Sequence, residues 1–302
     1  MDLKLLQCFV AVAEELHFGR AAQRLDILPS ALGRNIRLVE EYLGTRLFAR
    51  STRNVALTRG GHALLQEARS LLAQADSAVA RVRQAASVEE RVFRIGAIDS
   101  ASTGLIPALV HDFKAIAPDL ELVLVEDKTA KLLPKLTSGA LDIAFVRPPA
   151  AFKPDIEFRF LLDEPTVVAL PAEHRLALQE QVTVADLAEV PLIVPSPRNR
   201  PHSYNLTMRL FVQAGLEPRI VQQAEEKQTI VNLVGAEIGA ALVPYWTSRI
   251  AVSGVVYRPL VGTSGNPVRE LPLAAAWMRG TSDPWRERLI ELVNSNLDRY
   301  SA

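Results

Sequence analysis

Leu28-Pro29-Ser30-Ala31-Leu32-Gly33-Arg34-Asn35-Ile36-Arg37-Leu38-Val39-Glu40-Glu41-Tyr42-Leu43-Gly44 is the stretch whose periodicity decides how the first part of this chain folds. Leu32, Ile36, Val39 and Leu43 recur at spacings of four, three and four, so they line one side of a helix. Pro29 suits the first helical position, where a missing N–H costs nothing, and Gly44 suits the stop. Ser30, Gly33, Arg34 and Arg37 stand at i, i+3, i+4 and i+7 on the other side. That face is small and basic.

Upstream, Leu6, Phe9, Val10, Ala13 and Leu16 keep helical spacing, as do Ala21, Ala22 and Leu25 beyond a His17-Phe18-Gly19 break. Asp26-Ile27-Leu28 then reads as a short turn. Two helices joined by a three-residue turn, the second with a small and basic outer face, form the helix-turn-helix arrangement that fits the major groove. Downstream, Leu47 to Leu57 places two apolar stretches around a polar tip, which predicts a hairpin wing. Phe48 is expected in the core, with Arg50 and Arg53 placed to reach phosphates or a minor groove.

Over the 302 residues, 34 Lys and Arg balance 34 Asp and Glu, so any nucleic-acid surface must be local. His17 to Arg59 is such a region: eight arginines and no lysine stand against Asp26, Glu40 and Glu41. Arginine's planar fork pairs bidentately with phosphates and guanine edges. On charge alone a solvated basic surface is an equal reading.

Thr58 can N-cap the next segment. Leu64, Ala68, Leu71, Ala75, Ala78 and Val82 step by four and three, widened by Leu65, Leu72 and Val79. This is a coiled-coil seam able to pair two copies, or one face of a helix packed on its own domain. Ser87 to Arg91 ends the helix and opens a hinge.

From Val92 the pattern changes to alternating strands and helices, an α/β arrangement with a parallel sheet. Two lobes follow, one from 91–161 with 267–302 and one from 162–266. They are joined by crossings near Phe160 to Leu162 and Gly265 to Arg269, with a ligand cleft expected between them. Ser100 and Ser102 follow the first strand and Thr129 opens a helix, where hydroxyls and unpaired backbone N–H groups suit an anion. Arg147, ending the third strand, offers a cation or an interlobe salt bridge. From the second lobe, Pro201, His202, Gln228 and Thr229 are cleft candidates.

Val12-Ala13-Glu14, Phe18 with Arg20-Ala21-Ala22, Ala31-Leu32, Arg34, Ile36, Glu40, Leu43-Gly44, Arg46-Leu47-Phe48, Arg50 and Leu57-Thr58 with Gly61 resemble the winged helix-turn-helix of LysR-type transcriptional regulators. The resemblance covers some 60 residues and departs at one place. The family usually has Ser-Gln-Pro and then Ser-Arg, where this chain has Leu28-Pro29-Ser30 and then Gly33-Arg34. Leu141-Asp142-Ile143 and Val234 to Pro244 resemble that family's periplasmic-binding-protein-like effector domain. The resemblance implies a winged helix-turn-helix over 1–58, a dimerising linker helix over 59–90 and a two-lobed effector domain over 91–302. By the same resemblance, Arg20, Ser30, Gly33, Arg34, Arg37, Arg50 and Arg53 face promoter DNA, and Ser100 and Thr129 hold an effector carboxylate. It further implies a dimer of dimers that contacts RNA polymerase. His17 to Ala22 and Phe145-Val146-Arg147-Pro148-Pro149 look most like the subgroup answering to aromatic acids.

Other chemistries lack their residues. Cys8 is the sole cysteine, so no intramolecular disulfide or Cys-ligated cluster is expected, and the reducing cytoplasm is the expected compartment. No export signal or membrane span is expected. The five histidines show no metal-ligand spacing, His202-Ser203 lacks a nucleophile elbow, and Gly262 to Asn266 lacks the lysine of a phosphate loop. Neither an enzyme nor a cofactor is expected.

Overall fold

The computed structural model describes all residues except 51–54, 87–91, 150–153, 263–264 and 302; at Arg50 and residues 73, 76, 77, 80–86 and 301 only the main chain is described. Arg53, the side chains of Arg50 and Val82, and the Ser87 to Arg91 hinge therefore lie outside the described residues. The chain divides after Ala86 into two units.

The N-terminal unit runs α1 Leu3–Glu15, α2 Phe18–Arg24, α3 Pro29–Leu43, β1 Phe48–Arg50, β2 Val55–Leu57 and α4 Arg59–Ala86. Asp2 caps α1 by accepting from Leu5 N, and His17 caps α2 by accepting from Arg20 N. Gly44 ends α3 at φ +65°, a left-handed turn that glycine adopts without a Cβ penalty, and its N–H bonds back to the last carbonyls. Phe48 is buried between Phe9 and Phe18, with ring centroids 5.4 and 5.9 Å away. Glu40 of α3 accepts from Leu47 N at 2.8 Å and Phe48 N at 3.3 Å, which ties the wing to the third helix. Thr58 Oγ1 accepts from Gly61 N at 3.0 Å, as an N-cap should. Gly61 allows α4 to approach the wing, because a Cβ there would lie 2.2 Å from the Leu47 carbonyl oxygen.

The seam of α4 has two fates. Leu64, Leu65, Ala68 and Leu72 pack on the core of their own unit, whereas Leu71 and Val79 are 44% and 49% exposed. The alternative of a helix packed on its own domain therefore accounts for the first turns, and only the later part presents an open apolar stripe.

The C-terminal unit opens with β3 Val92–Ala97, α5 Asp99–Thr103, α6 Leu105–Ile116, β4 Glu121–Glu126, α7 Thr129–Thr137 and β5 Ile143–Val146. Next come β6 Ile156–Pro171, β7 Val182–Thr183, β8 Leu192–Pro195, α8 Pro201–Gln213, β9 Ile220–Ala224, α9 Lys227–Gly235 and β10 Ala241–Pro244. The chain closes with β11 Val255–Val261, β12 Arg269–Met278 and α10 Pro284–Ser301. β3 pairs parallel with β4 and β5, and β8 pairs parallel with β9. The sheet is nevertheless mixed, which corrects the expectation of a parallel one: β12 runs antiparallel to both β5 and β6, and β10 and β11 run antiparallel to β6.

Thr166 to Leu170 form the far half of one 16-residue strand, β6, which contains the Phe160 to Leu162 crossing. It stays extended because β12 pairs with it from Ile156 to Pro165, on both sides of a bulge at Leu161 in the crossing itself. The first lobe's core gathers Phe93, Phe113, Phe145 and Trp246, and the second lobe's gathers Leu176, Leu192 and Phe211. No described helix is long and apolar enough to cross a membrane.

Candidate functional site

On the N-terminal unit, Ser30, Arg34 and Arg37 are exposed on α3 while Leu32, Ile36 and Val39 are fully buried behind them. Among the described residues neither Arg34 nor Arg37 has an ion-pair partner. The two arginines are therefore open to an external anion. Arg20 is exposed but committed, since its guanidinium donates to the Glu15 carboxylate at 3.2 Å and the Glu15 carbonyl at 2.6 Å. Arg24 and Arg69 likewise converge on Glu14, both at 2.8 Å. Part of the basic run thus braces helix against helix.

Between the lobes of the C-terminal unit lies a cavity of about 490 Å³. It receives the first turns of three helices: Thr129 and Ala130 of α7, Pro201, His202 and Ser203 of α8, and Lys227 of α9. Helix N-termini carry unpaired N–H groups and partial positive charge, so their convergence favours an anion. The lining adds six cations, Lys128, Lys131, Arg147, Arg198, Arg200 and Lys227, against four carboxylates.

Of the residues expected in the cleft, Ser100, Thr129, Arg147, Pro201 and His202 line this cavity. Ser102 does not. It faces an apolar hollow beside Ile106, Val110 and Leu124, because α5 turns it to the far side of Ser100. Gln228 and Thr229 are exposed and outside the lining, and Gln228 donates to Asn232 at 3.1 Å. The α9 residue that does point inward is Lys227, one position earlier.

Arg147 is buried at the interlobe strands rather than offered as an unpaired cation. Its guanidinium donates to Glu164 at 2.5 Å, to the carbonyls of Leu271 at 2.6 Å and Pro272 at 3.1 Å, and to Ser100 Oγ at 3.3 Å. Glu164 is fully buried and also accepts from Trp246 N at 3.0 Å. The pair pins β5 to β6 and β12 directly behind Ser100. His202 stands close by; burial and Arg147 hold its pKa below the usual histidine value against the opposing Pro148 carbonyl, so the ring is neutral at pH 7.

The lobes are also stitched at the cavity's rim by groups that periodicity does not reveal. Asp99, on α5, takes Lys227 of α9 at 2.9 Å. Arg200 forms an ion pair with the other Asp99 oxygen at 2.6 Å. Lys128 reaches Glu226 at 2.6 Å. Burial alone would raise the Asp99 pKa, but Lys227 and Arg200 together outweigh it and hold the carboxyl well below the usual range.

A carboxyl with a depressed folded pKa contributes stability that is present above its unfolded value near 4 and is lost as pH falls toward the folded value. Asp99→Asn should therefore cost about 2–3 kcal/mol at pH 7, and the difference from the parent should shrink between about pH 5 and pH 2. Chemical unfolding at a series of pH values measures this; a pH-independent difference would mean that Asp99 acts through packing. Among the described residues no three His, Cys, Asp or Glu side chains are grouped to hold a metal.

Comparison with known proteins follows this division of the chain. Residues 3–62 match the bacterial regulatory helix-turn-helix protein, lysR family, and residues 86–298 match the LysR substrate binding domain. The HTH-type transcriptional regulator TtuA of Agrobacterium vitis is 54% identical over 301 residues, covering 100% of this chain and 99% of its own. Among solved structures, full-length CbnR in complex with its target DNA is similar at 26% identity and a TM-score of 0.69, covering 100% of both chains. The BenM effector binding domain with its effector benzoate is similar at 26% identity and a TM-score of 0.61, over 70% of this chain and 95% of that one. Matched in both units and by a relative along its full length, the chain belongs to the LysR family of transcriptional regulators.

Proposed function

We propose that this regulator binds promoter DNA as a homo-oligomer and changes its DNA-bound arrangement when a small organic acid, aromatic or other, enters the interlobe cavity. The single observation that carries the effector reading is the convergence of three helix N-termini on one 490 Å³ cavity of about ligand size. Benzoate in the BenM domain supports an aromatic carboxylate as the ligand class. LysR-family proteins are regulators rather than enzymes, so ligand binding is read out as a change of state and not as turnover. A ligand can shift such an equilibrium only by its differential affinity for the two states; a 100-fold preference corresponds to about 2.7 kcal/mol.

Ser30, Gly33, Arg34 and Arg37 are assigned to the major groove, with Arg50 and Arg53 on the backbone beside it. Arg20 holds α1 and contributes charge from behind. The stripe at Leu71 and Val79 pairs two chains, and a second contact would make the tetramer. In the cavity, Ser100 and Thr129 hold the carboxylate and His202 presents a neutral ring to the rest of the ligand. Contact with RNA polymerase belongs to the same reading.

Titrating full-length protein with benzoate and other aromatic carboxylates in a calorimeter tests it. Ser100→Ala removes one hydroxyl without filling the cavity and is expected to weaken the acid about 10- to 100-fold, the loss of one hydrogen bond to a charged group, while DNA affinity stays unchanged. Equal binding by parent and variant would put the carboxylate elsewhere.

A further inference from the structure

Leu28 is the N-cap residue of α3, and it makes no side-chain capping bond. Ser, Thr, Asp or Asn at this position would stabilise the helix by satisfying one of its first N–H groups. Nor does Leu28 serve the core: the neighbouring Ile27 packs inward, while Leu28 is 72% exposed, the most exposed large hydrophobic side chain described in the N-terminal unit. An apolar side chain thus stands at the leading end of the helix that carries Arg34 and Arg37, both exposed and without ion-pair partners among the described residues. Whatever covers Leu28 while α3 is docked must also tolerate the two guanidinium groups further along the same helix.

The major groove meets both demands. Its phosphates and guanine edges suit the arginines, and its one apolar feature on the base edges is the thymine C5-methyl group. We propose that Leu28 is a specificity-determining residue that reads a thymine methyl in each half-site, so that the chain prefers thymine by apolar contact where a polar cap would read a hydrogen-bonding edge. The inference rests on α3 entering the major groove.

The test starts with selection of bound duplexes from a random pool by the full-length protein. Each thymine of the selected site is then replaced singly by deoxyuridine, which removes only the methyl group. At one thymine per half-site the change is expected to weaken the parent about threefold to fivefold, the scale of one buried methyl. Leu28→Ala should bind the thymine duplex weaker by a similar factor and no longer distinguish thymine from deoxyuridine there. Leu28→Gln, which puts an amide in place of the apolar end, should shift the preferred base at that position. Selected sites at which every deoxyuridine affects parent and Leu28→Ala alike would overturn the role of Leu28 and leave the groove assignment standing. Failure to enrich any site would overturn both.

Discussion

Glu164→Ala is expected to lower the stability of the C-terminal unit by about 3–5 kcal/mol, the cost of leaving a buried guanidinium without its counter-charge. For a unit of this size the corresponding fall in Tm is on the order of 10 °C. Glu164 is fully buried, holds Arg147 at 2.5 Å and accepts the Trp246 N–H, so the substitution orphans a charge and a donor together. Replacing both partners, as Arg147→Met with Glu164→Leu, should recover most of the loss because no unpaired charge remains. Unfolding by urea with a tryptophan-fluorescence readout, all three tryptophans lying in the C-terminal unit, separates these outcomes. A single-variant loss below 1 kcal/mol would mean that water or another group reaches Arg147. The double variant should bind the effector acid weakly even when well folded, since Arg147 also fixes Ser100 Oγ at 3.3 Å.

Arg34→Ala should weaken specific DNA binding by about 1–3 kcal/mol per reading helix, and an oligomer carries the change in every copy. For two readers the expected loss is about 30-fold to 20,000-fold. Non-specific binding should fall far less, because one arginine of a basic run contributes little more than one phosphate contact. Binding curves on a selected site and on a random duplex, at two salt concentrations, measure the two quantities separately. The oligomeric state should not change, because Arg34 is exposed on the face opposite the buried residues of α3. Equal losses on both duplexes would reassign Arg34 from base reading to phosphate contact.

The two units differ in how much of them periodicity exposes. In the N-terminal unit Pro29, Gly44 and the Leu32, Ile36, Val39 stripe carry the limits and orientation of α3, because helix caps and burial repeat at local spacing. The wing and the Thr58 cap follow from equally local signals. The stripe of α4 was legible as apolar, but which turns pack at home and which remain open depends on where the wing and α1 stand. That information is not in the helix's own period.

The interlobe cavity was legible at its helix starts and, for Arg147, at a strand end. Ser100, Thr129, Pro201 and His202 stand where a strand gives way to a helix, a position readable from pattern alone. Asp99, Lys227 and Arg200 escaped the same reading because they pair across 128 and 101 positions of sequence, and nothing periodic links such partners. Ser102, Gln228 and Thr229 stand one or two residues from the inward-facing positions, and a helix turns about 100° per residue, so so small an offset faces another way. Glu164 is the sharpest case. One of three acids in β6, and next to Asp163, it reads as an exposed strand position, yet β12 and Trp246 bury it against Arg147.

By itself, then, the sequence determined the elements of the N-terminal unit, the alternating strands and helices of the C-terminal one, the basic face of α3 and the family, because caps, apolar stripes and motif spacing act over a few residues. The tertiary structure alone decided which arginines are braced and which stand open, where β6 continues, and which charges meet at the cavity. Those outcomes depend on Coulomb and packing contacts between residues far apart in the chain, whose energies are set by distance and burial in three dimensions.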